Sequence, residues 1–185
     1  AVGYNALETI TTASYNTAFG SRALENCAGD YNTAVGAQAL DAVTTGTKNV
    51  GMGWHVLSAN TTGSNNVALG GEALDANTTG GYNIAIGQNS LSVSTTGNYN
   101  VAIGQDALAN STVSDNVAIG RAAMVANTTG TNNVALGALA LTTNTTGPNN
   151  TAIGYYALKD NTTGNGNTAL GRTALQSNTT SNNNT

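Results

Sequence analysis

Asn66-Val67-Ala68-Leu69-Gly70 runs on through Gly71-Glu72-Ala73-Leu74-Asp75-Ala76-Asn77-Thr78-Thr79-Gly80-Gly81-Tyr82, and at Asn83 the phrase restarts as Asn83-Ile84-Ala85-Ile86-Gly87. The leading asparagine recurs at Asn16, Asn32, Asn49, Asn66, Asn83, Asn100, Asn116, Asn133, Asn150, Asn167 and Asn184, in steps of 17 residues with two of 16. A short fixed period is the mark of a solenoid, in which chain length counts coils. The 185 residues therefore read as one repeat array over 1–185 of about eleven turns. Both ends cut a repeat mid-phrase, at Ala1-Val2-Gly3 and Asn184-Thr185, so a fragment of a longer protein is expected.

The second position of each repeat is β-branched and the fourth is apolar, as in Val101 and Ile103, with Ala between them in all but the Gly51 repeat. Alternation of this kind predicts a strand of about five residues with one large apolar face and one bare face. The large residues are read as core, so Ile103→Asp should break its coil. Gly20, Gly36, Gly53, Gly70, Gly87, Gly104, Gly120, Gly137, Gly154 and Gly171 fill the fifth position. They are expected at a bend, on a bare face where a second chain packs closely. The ninth position is Leu or Met (Leu74, Leu108, Met124) and is read as inward, on a second short strand or irregular wall. The Asn-Thr-Thr-Gly segment reads as a surface turn whose Gly accepts positive φ. The repeats from Asn16 and Asn100 lose their residue there, at Cys27-Ala28-Gly29-Asp30 and Ser111-Thr112-Val113-Ser114. The fold class is all-β: a parallel β-solenoid, left-handed and homo-oligomeric, with a trimer as the natural closed form. The leading asparagines are read as a structural ladder of stacked amides.

Asn-Val-Ala-Ile-Gly, at Asn100–Gly104 and Asn116–Gly120, resembles the repeat phrase of trimeric autotransporter adhesin heads. Asn150-Thr151-Ala152-Ile153-Gly154-Tyr155-Tyr156-Ala157-Leu158-Lys159-Asp160-Asn161-Thr162-Thr163-Gly164 is similar to repeats in the shafts of phage tail fibres and microbial surface proteins. The resemblance covers the whole chain. It implies a β-roll fibre of three chains that binds a host surface through a domain outside this array.

Charged residues make up only 8% of the chain and the net charge is −4. A basic stripe for nucleic acid or an anionic membrane is therefore missing. No run of 18 apolar residues and no signal-peptide pattern is present, so membrane insertion is not expected. Cys27 is the single cysteine and His55 the single histidine, and neither recurs in other repeats. The carboxylates Asp41, Asp75, Asp106, Asp115 and Glu72 share no column, so no calcium array is expected. Gly51-Met52-Gly53 lacks the strand-to-helix setting of a phosphate loop. The expectation is no enzyme, no cofactor and no metal.

Asn-x-Thr sequons at Asn60, Asn77, Asn110, Asn127, Asn144, Asn161 and Asn178, with Asn149 and Asn183 beside other repeats, mark candidate N-glycosylation sites in or near the exposed turn. Tyr4, Tyr15, Tyr31, Tyr82, Tyr99, Tyr155, Tyr156 and Trp54 occupy several columns and read as scattered surface aromatics. The pairs Thr61-Thr62, Thr78-Thr79, Thr95-Thr96, Thr128-Thr129, Thr145-Thr146, Thr162-Thr163 and Thr179-Thr180 make a regular file that an ice-binding protein could use. The reading favoured overall is a non-catalytic shaft or stalk of an extracellular fibre, on a cell surface or virion: an adhesin, tail fibre or self-assembling filament whose partner is itself. Ice binding is the alternative.

Overall fold

A computed structural model describes residues 1–9 and 12–185; Thr11, which by the repeat frame falls on the first threonine position of the opening part-repeat, lies outside the described residues. The described residues form no helix and ten three-residue strands, each occupying the second to fourth positions of its repeat. These are β1 (Thr17–Phe19), β2 (Thr33–Val35), β3 (Val50–Met52), β4 (Val67–Leu69), β5 (Ile84–Ile86), β6 (Val101–Ile103), β7 (Val117–Ile119), β8 (Val134–Leu136), β9 (Thr151–Ile153) and β10 (Thr168–Leu170). All ten lie in one parallel sheet in chain order. Each pairs with the next at the same repeat position, as Val67↔Ile84 and Ala68↔Ala85. Val2 bridges Phe19 and so joins the opening part-coil to the stack. Between β1 and β10 the chain completes nine coils, with part-coils beyond.

The coils are bonded around their circumference as well as at the strands. Val67 N donates to Asn83 O at 2.9 Å, Leu74 N to Ser90 O at 2.9 Å, Thr78 N to Thr95 O at 2.8 Å and Tyr82 N to Ser64 O at 3.0 Å. Backbone pairing between coils thus satisfies groups that a loop would otherwise leave to water. The 16-residue coils lose their residue in the turn, and Thr17↔Thr33 and Val101↔Val117 remain in register.

The interior differs from the expected one. The side chains facing inward are the third-position alanines, the eighth-position small residues, the ninth-position Leu or Met, and two columns of asparagine. Ala68, Ala73, Leu74, Asn66 and Asn77 are all buried, whereas Val67 and Leu69 point outward and are only half-buried. The strand is therefore reversed relative to the sequence reading: its bare face is the core and its large apolar face is the outer surface. A coil this tight has no room for a second row of large side chains once the Leu and Asn columns are inside.

Backbone strain fixes the rest of the pattern. Leu or Met at the ninth position has φ between 48° and 55°, a left-handed conformation that a β-branched residue resists. The absence of Val, Ile and Thr from that column follows. No second strand forms there; the sixth to eleventh positions are turns. The fifth-position glycines from Gly20 to Gly171 have φ between 125° and 146°. From Gly20 to Gly154, an added Cβ would sit 2.1–2.8 Å from the backbone of the next coil's glycine. A close approach that calls for glycine is thus made within the chain, one coil on. The turn glycine is corrected too. Gly80 is not in the positive-φ region; a Cβ there would meet Gly97 O at 2.3 Å and Asn77 Oδ1 at 2.4 Å.

Candidate functional surface

Two buried amide ladders hold the coils in register. From Asn32 to Asn184 the leading asparagine's backbone N–H donates to Oδ1 of the leading asparagine one coil earlier, at 2.8–3.1 Å and without a break. From Asn16 to Asn167, Nδ2 of the same residue donates across the coil to the carbonyl at the end of the Thr-Thr turn, at 2.7–3.0 Å. This column is a continuous structural device, fully buried from Asn32 to Asn167 and half-buried at Asn16 and Asn184.

The second ladder is made of the sequon asparagines. Asn77 Nδ2 donates to Asn60 Oδ1 at 2.8 Å and to Gly80 O at 3.0 Å. Asn144 and Asn161 repeat the arrangement, at 3.1 and 2.9 Å to the previous amide. Asn60, Asn77, Asn127, Asn144 and Asn161 are fully buried, which corrects their placement in an exposed turn. A glycan on Nδ2 of Asn77 would take one of the two hydrogens that bond Asn60 Oδ1 and Gly80 O, at a site the fold buries fully. Asn178 is half-buried in the last coil, and Asn149 is exposed. Asn110 belongs to a different column; it is exposed, and its Nδ2 donates to Val125 O at 2.9 Å. The column's occupants carried the clue: its substitutes are Cys27, Val43, Ser94 and Ser111, which suit a buried site better than a glycosylated turn.

The threonine pairs lie in the turns, outside every strand. The first hydroxyl of most pairs is occupied, as in Thr78 Oγ1 donating to Thr95 O at 3.1 Å and Thr145 Oγ1 to Thr162 O at 3.1 Å. The second threonine is exposed, at Thr62, Thr79, Thr96, Thr129, Thr146, Thr163 and Thr180.

The aromatics are locally ordered. Tyr15 stacks on Tyr31 with centroids 4.8 Å apart, and Tyr82 on Tyr99 at 5.1 Å, each pair at the repeat's last position in neighbouring coils. Each ring covers one face of its partner. Tyr155 and Tyr156 lie at 4.0 Å, with Arg172 over the first ring and Lys159 over the second.

Ionisable groups gather loosely on the wall after the sheet. Burial pushes the carboxyls of Asp41 and Asp75 above the usual aspartate range. His55 Nδ1 lies 3.3 Å from Ser58 Oγ. Arg22 pairs with Glu25 and holds its carboxyl below the usual range. The Cys27 thiol is buried and its pKa is raised by desolvation. Among the described residues, no group of three His, Cys, Asp or Glu side chains converges as a metal site.

What remains outward is the sheet. Two parallel files, Thr17 to Thr168 and Phe19 to Leu170, run the length of the array, and every member is Thr or apolar. Phe19, Met52, Ile84, Val134 and Leu136 are exposed. No charge interrupts the files, and Tyr15, Tyr31, Tyr82, Tyr99 and Trp54 border them in sequence. Monomeric soluble proteins seldom show so continuous an apolar strip. Comparisons with family models, characterised proteins and solved structures give no match, so this surface is the feature on which a functional reading rests.

Proposed function

We propose that the array is the non-catalytic shaft of an extracellular fibre, and that copies of the chain associate through the outer face of β1–β10. The observation that carries this is the uncharged double file of apolar and threonine side chains, with every fourth-position member apolar. Nine coil steps of about 4.8 Å make it roughly 43 Å long. Counted with its aromatic borders it is about 15–20 Å wide, roughly 650–850 Å² in all, near the 800 Å² or so that each partner of a stable interface buries. Three copies with these faces turned to a common axis would hide all of it.

Light scattering on the purified chain tests this reading. A defined trimer, or a larger polymer, is expected at micromolar concentration, and Ile86→Ser/Ile103→Ser should lower the mass while the coil remains folded. A monomer at every concentration would overturn it. If that monomer also produced thermal hysteresis, the exposed threonine file would make ice binding the better reading.

A further inference from the structure

The second amide column departs from asparagine at two places, and at one of them polar atoms are left unpaired. Asn60 and Asn77 form one run, Asn127 to Asn178 another, and between them the column carries Ser94 and Ser111. Three buried side-chain atoms among the described residues lack a hydrogen-bond partner, and two are at this gap: Asn77 Oδ1 and Ser94 Oγ. Both residues are fully buried. In an intact step, one Nδ2 donates to the previous coil's Oδ1 and to the carbonyl three residues on. At the gap those two acceptors are Asn77 Oδ1 and Gly97 O, and the serine has no nitrogen to offer them. Asn127 resumes the ladder with a long bond of 3.4 Å to Ser111 Oγ.

We propose that a single buried water molecule completes the ladder between Asn77 and Ser94. Placed where the missing amide nitrogen would be, it donates to Asn77 Oδ1 and Gly97 O and accepts from Ser94 Oγ–H. Three bonds are the usual complement of a buried water, and Ser has two heavy atoms fewer than Asn, which leaves about the space a water needs. Leaving the two groups unpaired in a dry interior is the costlier state. The array also holds a built-in contrast. At its other gap the column carries Cys27 and Val43, where Cys27 Sγ bonds to Gly29 O at 3.2 Å and Val43 presents no polar atom. That gap is closed by thiol and methyl groups and needs no water. Cys27 lies in a 16-residue coil, where the turn carbonyl comes one residue earlier and a shorter side chain reaches it, whereas Ser94 lies in a 17-residue coil.

A high-resolution crystal structure of the whole chain tests the proposal, together with Ser94→Asn and Ser94→Ala. In the parent chain one ordered water is expected within hydrogen-bond distance of Asn77 Oδ1, Ser94 Oγ and Gly97 O, with none beside Val43. Ser94→Asn should expel it, supply the missing nitrogen and raise the melting temperature by about 2–4 °C, the shift that roughly 1 kcal/mol gives a chain of this size. Ser94→Ala, which folds without needing new space, should lower the melting temperature. A dry site with Ser94 Oγ rotated to donate directly to Asn77 Oδ1 would overturn the proposal, as would a water that persists in Ser94→Asn.

Discussion

Gly51 and Val56 face each other across the interior of one coil, and a Cβ on Gly51 would lie 3.1 Å from Val56 Cγ1. Gly51 is the one strand centre without a methyl, and Val56 is the one β-branched residue in the buried eighth column. Each explains the other, since a tight coil holds a fixed volume. Gly51→Ala alone should destabilise by about 1–3 kcal/mol through overpacking, and Val56→Ala alone should leave a cavity. The double variant recreates the Ala–Ala pair of Ala68 and Ala73 and should return to near-parental stability. A double-mutant cycle from urea melts should give a coupling of about 0.5–3 kcal/mol; additive effects would mean the two side chains do not share space.

Gly70 and Gly71 are adjacent and should respond oppositely. Gly70 has φ 126°, and an added Cβ would lie 2.8 Å from the next coil's backbone. Gly70→Ala should cost at least about 1–3 kcal/mol in backbone strain alone. Gly71 has no positive φ, and its Cβ would meet only Trp54 O at 3.9 Å. Gly71→Ala should be neutral or stabilising by about 0.4–1 kcal/mol. Thermal melts of the two single variants make the comparison.

Ala102 and Ile103 separate folding from assembly. Ala102 is fully buried and Ile103 points outward from the same strand. Ala102→Asp puts an unpaired charge in the core and should cost more than about 4 kcal/mol. Circular dichroism should show the loss. Ile103→Asp, expected from the sequence to be the disruptive change, should leave the spectrum intact and reduce the mass in solution.

Asp41 and Asp75 make stability depend on pH with a definite sign. Burial raises both carboxyl pKa values in the folded chain, so the folded state binds their protons more tightly than the unfolded one. The array is favoured while both groups are protonated, and it loses stability as pH rises from the unfolded aspartate value through the raised folded value. Melts of the parent and of Asp41→Asn/Asp75→Asn across about pH 3–7 should show the variant's advantage growing toward neutrality. A constant difference would mean the carboxyls titrate alike in both states.

The solenoid, its coil length and its strand positions are legible in the sequence, because a period of 17 and an alternation of Val, Ala and Ile admit little else. The alternation shows which residues share a face, but not which face is inside. Size suggests that Val101 and Ile103 are core; the space left beside Leu108, Asn100 and Ser111 accommodates only Ala102. The sequon asparagines posed the same difficulty. Asn77 has the neighbours of a glycosylation site and the surroundings of a ladder rung, and only its burial decides between them. The left-handed leucines could not be seen from propensity, since tertiary bonding between coils holds Leu74 at φ 54° against its preference.

In-register stacking, in which Val67 lies on Ile84 and Asn66 on Asn83, makes the repeat a unit of measure. Removing 17 consecutive residues from within 32–99 or within 116–183, where every repeat has that length, joins a coil to the next but one with every column still aligned. The rod can thus be cut to a chosen height, its cross-section and outer face unchanged, by whole-repeat gain or loss alone.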